Sequence, residues 1–137
     1  MNLLPWRNAD ADTKHDTIIM LAIHSLLVGM NLVLYMFGVY DVKIMMDGEA
    51  HPALTRLVLG ISRTIWDNFL LPVLPGLLVF MWLDAWVFVQ LRLRLGKVAS
   101  AAWNILVVIL LIWCACFCVW GMKWQLRSIA DTYFTPR

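Results

Sequence analysis

His24 and Asp84 are the residues whose type and setting most plainly invite chemistry. Asp84 is the one charge in the apolar run Phe69–Leu91. An ionised carboxylate in hydrocarbon costs about 3 kcal/mol or more, so it must be neutral, paired or wet. Only one ionisable side chain in another apolar run offers itself as a partner, His24. It lies seven residues inside Thr17, and Asp84 lies seven residues inside Leu91. One full hairpin separates those two ends, which puts both on the same side and both side chains at similar depth. The spacing predicts a buried His24–Asp84 hydrogen bond. The same two groups titrate, so the other chemistry open to them is a proton relay, with Asn31, Asn104 and Gln90 as its only polar extensions.

Other chemistries find less support. A bis-histidine haem needs two axial histidines at matching depth, and His15 and His51 lie in polar segments. Cys114, Cys116 and Cys118 look like a metal cluster on paper. On a helix Cys114 and Cys118 share a face while Cys116 points almost opposite, so they read as small apolar residues. No nucleophile–base pair, metal site or phosphate loop is visible. The expectation is a non-enzyme without cofactor or metal.

These residues must be positioned by elements suited to a bilayer. The chain has 137 residues, of which 62% are hydrophobic and only 15% charged. Its mean hydropathy is +0.76, which sets it apart from soluble, disordered and disulfide-scaffold chains. The net charge of +2 is spread between apolar runs, which argues against nucleic-acid binding. Three runs are long enough to cross a membrane: 17–40, 69–91 and 101–122. Polar tails are expected over 1–16 and 123–137. No cleavable signal peptide or lipidation signal is expected.

Between the first two spans the pattern changes. Asp47-Gly48 signals a turn, and His51-Pro52 opens a helix over about 52–67. Leu54, Leu57, Val58, Ile61 and Ile65 recur at helical spacing, which predicts an amphipathic helix at the membrane interface. The fold class expected is therefore an all-α membrane protein of three transmembrane helices plus one amphipathic interfacial helix. Pro75 should kink the start of the second span, with Pro72 near the helix start. Lys and Arg nearly balance across the two sides, five against six. The basic loop expected at Arg92–Lys97 favours an N-terminus inside.

Helix packing is the activity these spans are best equipped for. Ser25 and Gly29 form a small-xxx-small pair, a close-approach face for another helix. Trp82 and Trp86 sit at i, i+4 on the face away from Asp84. With Trp113 they place large rings inside the membrane, where they suit a partner's helix. Trp6, Trp66, Trp103, Trp120 and Trp124 fit interfacial belts.

One stretch carries a resemblance. His51-Pro52-Ala53-Leu54-Thr55-Arg56-Leu57-Val58-Leu59-Gly60-Ile61-Ser62, followed by Asn68 and an apolar span, resembles the inner-membrane platform protein (F family) of type II secretion and type IV pilus machines. Pro52, Leu54, Thr55 and Ser62 occupy the family's motif positions, over about residues 51–97. The family's two cytoplasmic helical domains have no counterpart here. The resemblance implies a reduced, platform-like component of a secretion or pilus assembly, and those four residues as positions of a packing helix.

The function expected is that of a non-catalytic accessory or assembly subunit in a bacterial-type inner membrane. Its partners would be other integral membrane subunits and lipid, with a homo-oligomer as a further possibility. A secretion platform or an energy-transducing assembly would suit it. The alternative from another class is a small oligomeric transporter or proton-conducting protein using His24 and Asp84.

Overall fold

The computed structural model describes residues 9–38 and 53–134. The expected Asp47-Gly48 turn, His51-Pro52, Trp6 and the side chain of Trp124 lie outside the described residues. Throughout the described residues the elements are helical: α1 (Ala11–Val33), α2 (Ala53–Asp67), α3 (Leu74–Leu95) and α4 (Lys97–Phe134). A single π-helical turn, Leu34–Gly38, follows α1, and a kinked segment, Phe69–Val73, precedes α3. Among the described residues, three segments are long and apolar enough to cross a membrane: Ala11–Met36, Phe69–Leu95 and Lys97–Lys123. The chain is a multi-pass α-helical membrane protein.

Several boundaries differ from those expected, each for a local reason. α1 starts at Ala11 and not at Thr17, because Asp10 caps it. Its Oδ1 accepts from the Thr13 amide at 3.2 Å, and its carbonyl accepts from the Lys14 amide. The Arg92–Lys97 stretch is not a loop. Arg92 and Arg94 form the last turn of α3, where cations suit the carbonyl end of the helix dipole. Gly96 alone makes the turn, at φ +87°, and its N–H reaches the carbonyls of Leu91 and Arg92 at 3.1 and 3.2 Å. A left-handed residue in that place is what glycine permits at low cost. α4 begins at the next residue and continues to Phe134, through much of the expected polar tail.

The kink before α3 falls at Leu71 and not at Pro75. Leu71 is extended (φ −150°, ψ 117°), as a residue before proline prefers, and the Leu71–Pro72 bond is cis. Pro75 sits in the first turn of α3, where its missing N–H breaks no helical bond.

The chain divides into two compact units. The first comprises Met1–Gly29 with Leu70–Ile112. Its core joins Met20, Ala85, Phe88 and Val89, with Leu21 and Trp103 packed against them. The second comprises Met30–Phe69 with Trp113–Arg137. Tyr35, Val58 and Cys118 form its core, flanked by Leu34, Leu59, Ile65, Phe117 and Met122.

In the second unit the inward face of α2 matches the expected apolar side only in part. Thr55, Val58 and Ser62 are buried; of the expected apolar side Val58 and Ile65 do pack into the core, while Leu57 and Ile61 are exposed, as is Trp66. Polar contacts explain the choice. Thr55 donates to the Gly121 carbonyl at 3.2 Å, and Ser62 donates to the carbonyl of Tyr35, within the π turn. The Tyr35 hydroxyl donates to the Cys114 carbonyl at 3.3 Å. In an apolar surrounding such bonds replace those that water would supply. Gly121 sits so close to α2 that an added Cβ would fall 2.7 Å from Cγ2 of Val58.

Candidate functional site

The interior of the first unit holds a polar quartet from three helices. α1 supplies His24, α3 supplies Asp84, and α4 supplies Trp103 and Asn104. His24 is fully buried and Asp84 is 3% exposed. His24 Nδ1 lies 2.6 Å from Oδ2 of Asp84. The other carboxylate oxygen, Oδ1, accepts the Trp103 indole N–H at 2.8 Å. On the far side of the ring, His24 Nε2 lies 2.8 Å from Oδ1 of Asn104.

The arrangement answers the cost of burying a carboxylate. Each Asp84 oxygen has a nitrogen partner, and each ring nitrogen of His24 has an oxygen partner. With both ring nitrogens facing oxygens, both contacts are hydrogen bonds only if each nitrogen carries a hydrogen. If the Asn104 amide turns over, it presents an N–H to Nε2. A neutral ring donating from Nδ1 to Asp84 is then fully bonded as well. The quartet is therefore a closed, buried hydrogen-bond network that ties three helices together.

Near the end of the same unit, Arg92 Nη2 donates to Oδ2 of Asp16 at 2.7 Å. Asp16 and Arg92, with Lys97, Ser100 and Asn104, line a crevice of about 210 Å³. Asn104 is thus both the partner of the buried ring and part of the crevice wall.

The other expected positions lie elsewhere. Ser25 is exposed and its hydroxyl turns back to the Ala22 carbonyl of its own helix. Around a Cβ added at Gly29 nothing lies within 4 Å, so the small-residue face of α1 stays open. Trp82, Trp86 and Trp113 are 39%, 44% and 63% exposed, and Trp113 makes a tilted ring contact with Phe117. Cys114 and Cys116 are exposed, whereas Cys118 is buried in the second core. Among the described residues no group of three His, Cys, Asp or Glu is placed to hold a metal ion.

Two features went unread in the sequence. Trp103 is no interfacial anchor; its indole turns inward to Asp84. Placing the third span's start at 101 put it two residues inside the membrane. α4 instead starts at Lys97, so Trp103 lies six residues, about 9 Å, along the helix. The Asp16–Arg92 pair was hidden because both residues were assigned to polar ends outside the spans.

No protein-family model, no curated protein and no solved structure matches this chain.

Proposed function

We propose that this protein is a non-catalytic subunit of a larger membrane assembly and acts by packing its helices against those of other subunits. One observation carries the reading: its most distinctive apolar surfaces face outward. Trp82, near the middle of the second span, and Trp86 one turn on are both exposed, and so is Trp113. The Ser25–Gly29 face is open as well. At most 17% of the most apolar window of any span is buried within the chain. Large exposed rings within the spans, and an open small-residue face on α1, suit helix partners better than they suit lipid alone.

The internal polar quartet fits the same role, since it fixes the three helices that present those surfaces. The F-family resemblance of Leu54, Thr55 and Ser62 suggests a secretion or pilus platform in a bacterial-type inner membrane as the setting. In α2, Thr55 and Ser62 are the buried packing residues. A photo-cross-linking amino acid at position 82, 86 or 29 in native membranes should give discrete adducts with other membrane proteins. The same probe at buried Val89 should give none. Adducts to lipid alone from positions 82, 86 and 29 contradict the reading.

A second reading is favoured by Asn104, which joins the buried His24 ring to the crevice at Asp16 and Arg92. A proton held at His24 would be one amide away from a polar opening. That reading makes the chain a small proton-handling protein. Reconstituted flux lost on Asp84→Asn, with assembly intact, is its test.

A further inference from the structure

We propose that the crevice beside Arg92 and Lys97 binds one anionic phospholipid. Its headgroup phosphate would sit between the two cations, and its upper acyl chain would run along Ile19, Met20, Phe88 and Ala101. The inference rests on the chain spanning a membrane and is independent of the subunit reading.

Position comes first. Arg92 lies in the last turn of α3 and Lys97 opens α4, so the basic end of the crevice is at the end of the spans, where headgroups lie. Asn104 marks its deep end, seven residues further along α4, or about 10 Å towards the midplane. Along that length the walls change from charged to mostly apolar, with the Asn104 amide alone polar at the deep end, broadly the order a phospholipid presents from phosphate to chain. The lining carries Arg92 and Lys97 against Asp16, a net charge of +1 that matches a phosphodiester monoanion.

Donor capacity is available. Asp16 engages Arg92 through Nη2, and a guanidinium carries five N–H groups, so the fork has donors for a second acceptor. Lys97 is exposed and forms no ion pair among the described residues. The amide end of α4 beside it adds partial positive charge. Ser100 is a wall and not a donor, since its buried hydroxyl is given to the Lys97 carbonyl at 3.0 Å. Size narrows the ligand. At about 210 Å³ the crevice is below the roughly 300 Å³ at which pockets for drug-sized organic molecules begin. It is open, however, so a chain can continue out of it into the bilayer. Basic pockets between transmembrane helices commonly take lipid headgroups.

The test is native mass spectrometry of the full chain in non-ionic detergent, titrated with phosphatidylglycerol or phosphatidylcholine. Wild type should bind one phosphatidylglycerol in preference to phosphatidylcholine. Lys97→Gln should weaken it about fivefold, the worth of one lysine near a lipid surface, and Lys97→Arg should restore it. Ala101→Trp, at an exposed position on the apolar wall, should block binding while leaving the helical circular dichroism intact. Millimolar inorganic phosphate should not displace the lipid. Equal affinity for the two lipids, an unaffected Lys97→Gln variant, or displacement by phosphate overturns the proposal; the last would mean a simple anion site.

Discussion

Trp103 gives its indole N–H to the one Asp84 oxygen that His24 does not reach, at 2.8 Å. The carboxylate is thereby bonded on both sides by residues from two other segments of the chain, and its burial is tolerable only while both stay. Trp103→Phe keeps the ring and removes the donor. It should cost about 1–3 kcal/mol, the penalty for a buried acceptor left unpaired. A thermal melt in detergent reads it, and an unchanged melting temperature would show that water already serves Asp84.

The ring and the carboxylate should be strongly coupled. His24→Leu leaves a buried carboxylate with Trp103 as its one partner, which should cost about 3–5 kcal/mol. Asp84→Leu in the same chain should recover much of that loss. A double-mutant cycle should give a coupling of about 2 kcal/mol or more. Additive losses would mean that the two side chains are not partners.

Asp84→Asn is the gentler change. The introduced amide can accept from Trp103 through its oxygen and donate to His24 Nδ1 through its nitrogen. A neutral ring then gives its Nε2 proton to Asn104. Every group stays bonded, so Asp84→Asn should melt closer to wild type than Asp84→Leu does. The reverse order would show that the negative charge itself is required.

The depth match of His24 and Asp84 was legible because charge in an apolar run is costly and helical rise converts residue number into depth. The three spans were legible for the same reason, as runs of apolar residues longer than a bilayer needs. Their ends were not. Asp10 and Gly96 set the ends of α1 and α3 by local hydrogen bonding and a left-handed turn, which hydropathy does not register. The inward face of α2 was legible at Val58 and Ile65 and misread at Leu57 and Ile61, which lead any count of apolar residues. In a membrane protein Thr55 and Ser62 turn inward instead, since lipid accepts leucine but offers hydroxyls no partner.

Gly121 should resist enlargement. A methyl there meets Val58 Cγ2 at 2.7 Å, and valine has few rotamers to retreat into. Gly121→Ala should destabilise the second unit by about 1–3 kcal/mol, the usual cost of overpacking. Val58→Ala should relieve it in the double variant, measured by melting or by protection of the α2 amides from exchange. Equal destabilisation with and without Val58 would refute the contact.

The start of α1 should depend on acid. Hydrogen bonds from Thr13, led by its side chain, hold the Asp10 carboxyl below its ordinary value of 3.8. A carboxyl lowered in the folded state stabilises above its unfolded value and loses that contribution as pH falls through the folded one. Amides of the first turn should therefore lose exchange protection only below about pH 4. Asp10→Asn should keep a cap without this dependence, and Asp10→Ala should weaken protection at every pH. Identical acid profiles for wild type and Asp10→Asn would assign the effect to another group.

The most direct test of the subunit reading is extraction of a tagged copy from its own host membrane in mild detergent, with native-gel sizing and mass spectrometry of what co-migrates. The account predicts a large complex containing this chain at fixed stoichiometry. A Trp82→Ala, Trp86→Ala variant should leave that complex while retaining its own melting temperature. A homogeneous small oligomer of this chain alone, unaltered by the double variant, would contradict the account and turn attention to proton movement through His24 and Asp84.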